Sequence, residues 1–85
     1  MINSIKDLRR FATALHEELK RNNEYELASE LIMWEEDVFT STTELLGELM
    51  LILEKVNRLS RLTGMKPQIE ECLTTIKRAL GQKVH

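Results

Sequence analysis

The sequence predicts an all-α protein, a small up-down four-helix bundle, on three observations. Apolar residues recur at one-turn spacing in four separate stretches. No stretch alternates apolar and polar residues long enough to make a strand. Gly64, Pro67 and Gly81 fall where the helical patterns stop or start, and only Gly47 lies inside one. The connections are short, so successive helices are expected to be antiparallel neighbours. A three-helix core, with the fourth helix packed across it or on a partner chain, is the alternative.

The first helix is expected to begin after Ser4, whose hydroxyl can accept from the free amides of the first turn, with Asp7 near the positive end of the helix dipole. Ile5, Leu8, Phe11, Ala12, Leu15 and Leu19 form its apolar face. Lys20 and Arg21 suit the negative end, and Asn22-Asn23 can take the left-handed conformation that closes helices. The second helix is expected from about Asn23 to Phe39, with Glu26 placed as in a loose capping box. Its stripe is Leu27, Leu31, Trp34 and Val38, widened by Ala28, Ile32 and Phe39, with Met33 outside it.

The third start is the clearest, because Ser41-Thr42-Thr43-Glu44 has the Ser-x-x-Glu form in which two side chains satisfy each other's backbone amides. From it a helix of about 20 residues is expected to reach Leu62 or Thr63, with Gly64 as a left-handed cap. Pro67 then opens the fourth helix at its first position. That helix carries Ile69, Cys72, Leu73, Ile76 and Leu80 on one face and ends at Gly81. Residues 1–85 read as one domain, with 82–85 a frayed tail.

The third helix holds the main question. Leu45, Leu49, Ile52, Leu53, Val56 and Leu59 make one stripe, but Leu51 and Leu62 lie opposite it, so the run Leu49–Leu53 has no polar side. Two readings follow. Either this is a central helix enclosed by the other three, or its far side, with Leu51, Leu62 and nearby Met33, faces another chain. Small chains often complete a thin core by forming a twofold dimer.

Composition narrows the function classes. At 85 residues, 42% hydrophobic and 31% charged, the chain is too apolar for a disordered segment. One cysteine, Cys72, excludes an internal disulfide. The first ten residues show no signal-peptide core, and the longest apolar run, Leu49–Leu53, is far short of a membrane span, so a cytoplasmic protein is expected. The net charge of −2 is unevenly placed: residues 1–23 carry +2, residues 24–48 carry −8 without one base, and residues 49–85 carry +4. Two readings fit: the acids are neutralised by basic neighbours within the fold, or they form a face that attracts a basic partner. Few aromatic residues and few clustered bases disfavour nucleic acid as a partner.

Motifs for chemistry are sparse. His16-Glu17-Glu18 has no second histidine a turn away, and two histidines with one cysteine do not readily fill a zinc site. Glu35, Glu36, Glu44 and Glu48 are the carboxylates a magnesium cluster would have to use. Helical nucleotide pyrophosphohydrolases, however, use a Glu-Glu-x-x-Glu pattern and a later Glu-x-x-Asp pair. Here Phe39 stands three residues after Glu36 and no Asp follows Asp37. Cys72, on an apolar face, reads as a small buried hydrophobe.

The expected function is therefore binding without catalysis or cofactor: a small helical protein–protein interaction module with an acidic face on its second helix. The partner is another protein, in one version basic, or a second copy in a homodimer. An inhibitor or immunity-type protein occluding a basic partner is the alternative, and a metal-dependent helical hydrolase a distant one. Candidate partner-binding residues are Glu30, Met33, Trp34, Glu35, Glu36, Asp37 and Leu51.

Overall fold

Four helices run in the order α1 (Ile5–Arg21), α2 (Tyr25–Glu36), α3 (Thr42–Asn57) and α4 (Lys66–Ala79). The computed structural model describes residues 5–59 and 64–81, and no strand occurs among them. Each helix packs on the next in sequence, α1 on α2, α2 on α3 and α3 on α4. All four contribute to one core, as the bundle expectation requires. The extents, 33 × 30 × 19 Å, correspond to a body two helix layers thick, since packed helices lie about 8–10 Å apart.

Local chemistry closes the helices where the sequence signals it. At the end of α1, Asn23 takes a left-handed φ of 62°. The amide of Glu24 then donates to the carbonyl of Leu19 (2.8 Å), and that of Asn23 to Lys20 (3.1 Å). These are the two bonds of a Schellman cap, and they satisfy carbonyls that the helix leaves open. Ser41 caps α3, its Oγ accepting from the amide of Glu44 at 3.1 Å. Gly81, at φ 76°, ends α4, its amide donating to the carbonyl of Arg78 (3.0 Å).

The core alternates in helical register. Leu8, Ala12, Leu15 and Leu19 enter it from α1, and Ile69, Cys72, Leu73 and Ile76 from α4. From α3 come Leu45, Leu46, Leu49, Ile52, Leu53 and Val56. α2 supplies only Ala28, Leu31 and Trp34. The Cys72 thiol is fully buried and is pushed up to about 12, chiefly by burial and secondarily by the neighbouring Glu71 carboxylate.

Several expectations are corrected. α2 ends at Glu36, so Val38 leaves the apolar stripe and stands 88% exposed in the connection to α3. Ile32 is likewise exposed rather than part of the buried face. α2 starts after Glu24 with no side-chain cap, because Asn23 is committed to closing α1. α3 stops at Asn57 rather than Leu62 or Thr63. Gly64 is not a left-handed cap; it sits in a short 3₁₀ turn with Met65 that leads into α4. Lys66 is the first residue of α4 and Pro67 follows it within the first turn. Gly47, inside α3, is merely tolerated there, since a Cβ at that position would meet nothing within 4 Å. Ser4, Leu62 and the expected tail 82–85 lie outside the described residues.

Of the two readings of α3, the fully enclosed one is overturned: Leu51 is 53% exposed. At 100° per residue Leu51 points about 200° away from both Leu49 and Leu53. α2 and α4 pack on α3, and among the described residues no element closes over Leu51.

Candidate functional site

The bare side of α3 forms one wall of a groove whose other wall is α2. The two helices run antiparallel, tied by a bond from Trp34 Nε1 to the carbonyl of Leu45 (2.9 Å) and by the Lys55–Glu30 ion pair (2.8 Å). The groove has a volume of about 510 Å³. Met33 of α2, 67% exposed, and Leu51 of α3 supply its apolar surface, with Phe39, Ile52 and an edge of Trp34 beneath. Residues 30–37, the end of α2 and its cap, span about two helical turns, so the groove is roughly 10 Å long.

Its charge is graded along that length. At one end Lys55 pairs with Glu30, a half-exposed contact worth on the order of 0–1 kcal/mol. At the other end stand Glu36, Asp37 and Glu48. Among the described residues neither Glu36 nor Glu48 has an ion-pair partner, and the Asp37 carboxylate accepts only from the amide of Val38 (2.8 Å). Four carboxylates against one ammonium leave the rim at −3.

This acidic end is also placed against the local electrostatics. Helix C-termini carry negative partial charge and favour cations. The last turn of α2 has no base, and it carries Glu35 and Glu36 with Asp37 as the cap. One cation answers from across the fold. Arg9 of α1 lies 5.4 Å from the centroid of the Trp34 ring and donates from Nη1 to the carbonyl of Glu35 (3.2 Å). Arg9 thus covers the α1 side of this helix end, opposite the groove, and leaves the groove side acidic.

Of the candidate residues, the structure brings Glu30, Met33, Glu36, Asp37 and Leu51 to one groove. Glu35 is not among them: its Oε1 accepts from the Thr13 hydroxyl (2.9 Å), on the α1 side. Trp34 is 3% exposed, held by its indole bond and by Phe39, whose ring centroid is 6.4 Å away. It supports the groove from within the core. Lys55 and Glu48 were missed as groove residues, because their place depends on how α3 is rotated against α2. His16 is half-buried beside Glu17, and among the described residues no three His, Cys, Asp or Glu side chains converge as a metal site.

Fold and site together define a class: a small helical bundle bearing a shallow, apolar-floored groove with an acidic rim. Comparison with known protein families, curated proteins and solved structures gives no match. Among the described residues no helix is long and apolar enough to cross a membrane.

Proposed function

We propose that this protein acts by binding another protein through the α2/α3 groove, without catalysis. The observation that carries the reading is the coincidence, in one concave patch, of two large exposed apolar side chains, Met33 and Leu51, with an unneutralised acidic end. Exposed apolar surface is a cost in isolation, and contiguous patches ringed by polar groups are characteristic of interaction sites. The acids at the negative end of α2 lower stability locally, as residues retained for an interaction often do. The unpaired rim also supports the narrower version, an inhibitor-type protein that occludes a basic surface. We place its action in the cytoplasm, where a lone thiol stays reduced.

A photo-crosslinking residue at position 51 tests this in the source cell, with position 20 on the exposed side of α1 as control. Discrete adducts at 51 that are lost when Met33→Asp is added support the reading. Equal labelling from positions 51 and 20 rejects it.

A further inference from the structure

We infer that the occupant of the groove is a single amphipathic, basic helical segment of a different protein, lying with its cationic end over Glu36, Asp37 and Glu48. This rests on the groove being a docking surface and names what docks.

Three features select this occupant. No strand occurs among the described residues, so a partner cannot add to a sheet edge here, whereas a two-turn trough between antiparallel helices accommodates a third helix. The apolar surface is short: Met33 and Leu51 offer contact to two or three anchors at i, i+3 or i+4, and i+7. The charge gradient sets polarity. The Glu30–Lys55 end is already neutral, so complementarity places the partner's Lys or Arg residues, or its positive helix N-terminus, at the opposite end. The same gradient disfavours a second copy. Two grooves facing each other bring −3 against −3, because each contains only the one lysine and that lysine is already paired.

The test uses the full chain, ¹⁵N-labelled, and two synthetic helical peptides. One carries leucines at i, i+4 and i+7 with lysines clustered at its N-terminal end; the other has every lysine replaced by glutamate. Two double variants separate the questions: Met33→Asp with Leu51→Asp removes the apolar surface, and Glu36→Lys with Glu48→Lys reverses the rim. All four positions are solvent-facing, and circular dichroism verifies that each variant keeps its helices. Expected is binding of the lysine peptide with amide shifts centred on residues 33, 37, 48 and 51. Affinity should drop at least tenfold with either double variant and fall steeply between 50 and 500 mM salt, while the glutamate peptide does not bind.

Equal binding of both peptides, abolished by the apolar variant and untouched by the charge reversal, overturns the basic-segment inference and leaves the groove reading standing. Shifts centred away from the groove, or unchanged by Met33→Asp with Leu51→Asp, overturn both. Absence of any shift at millimolar peptide overturns the inference. So does concentration-dependent dimerisation in sedimentation that the apolar variant abolishes, since the occupant is then a second copy.

Discussion

Leu51 and Leu53 are two residues apart on one helix, of the same type, and the fold gives them opposite fates. Leu53 is fully buried and Leu51 is half out. Truncating Leu53 to alanine removes a fully buried side chain and leaves a cavity in the core, at a cost of about 2–5 kcal/mol. Truncating Leu51 removes only half-buried surface and opens no enclosed space. Half of the roughly 1.5–3 kcal/mol for full burial of such a side chain, less the small helix-propensity gain of alanine, gives a loss of about 0.5–1.3 kcal/mol. A chain of this length has a total stability of about 4–13 kcal/mol, so the Leu53 variant loses a large share of it. Urea unfolding followed through the lone tryptophan, Trp34, reads the difference. With a slope of about 1 kcal/mol/M, the midpoint falls by about 2 M or more for Leu53→Ala and by about 0.5–1.3 M for Leu51→Ala. The measurement is made at two protein concentrations. Equal losses for the two variants in dilute, monomeric protein refute the placement of Leu51 outside the core. A Leu51 cost that grows with concentration shows that a second copy covers it.

Glu36→Lys should raise stability by about 0.3–1 kcal/mol, since it exchanges an unfavourable charge for a favourable one at the C-terminus of α2; a loss in urea or thermal unfolding argues against the electrostatic account of the acidic rim. Ser41→Ala should cost about 1 kcal/mol by removing the bond to the Glu44 amide, read as a fall in Tm of about 4–8 °C, with Ser41→Asp largely retaining stability. Gly47→Ala should stabilise by about 0.5–1 kcal/mol, since its Cβ enters open space and the helix gains propensity; destabilisation would mean that the position is more crowded than the structure shows. The Cys72 thiol is raised from 9.0 to about 12 in the folded chain. The unfolded chain therefore releases this proton first as pH rises. The contribution is complete below about pH 9 and is lost towards pH 12, by up to about 1.4 kcal/mol per pH unit. Cys72→Ala should flatten that alkaline decline in urea midpoints, and an unchanged slope would contradict the shift. The same burial predicts that a thiol reagent modifies Cys72 no faster than the protein unfolds.

Much of the architecture was written locally. The Ser41–Glu44 cap, the Asn22-Asn23 close of α1 and Gly81 at the end of α4 each depend on the conformational preference of one or two residues, so they were legible without knowing what packs where. Helical periodicity identified the buried faces of α1 and α4 for the same reason, except that Ile5, at the start of the α1 stripe, stands exposed. α2 was read less well. The spacing of Leu27, Leu31, Trp34 and Val38 continues a helix that the chain leaves at Glu36, because periodicity does not register that Asp37 and Val38 must turn the chain towards Ser41.

Four helices, eight acids without a base across residues 24–48, and a Leu49–Leu53 run with no polar side are all legible in residue order alone. Residue order also marks Leu45, Leu49, Ile52, Leu53 and Val56 as the larger apolar stripe of α3, but not whether the opposite side at Leu51 is covered as well, because a run with no polar side does not say how many neighbours enclose it. Packing decided this: α2 and α4 claim Leu49, Ile52 and Leu53, and Leu51 is left beside Met33. Packing also separated Glu35 from Glu36. Adjacent residues on a helix project about 100° apart, so the rotation of α2 against α1 turned one carboxylate to Thr13 and the other to the groove.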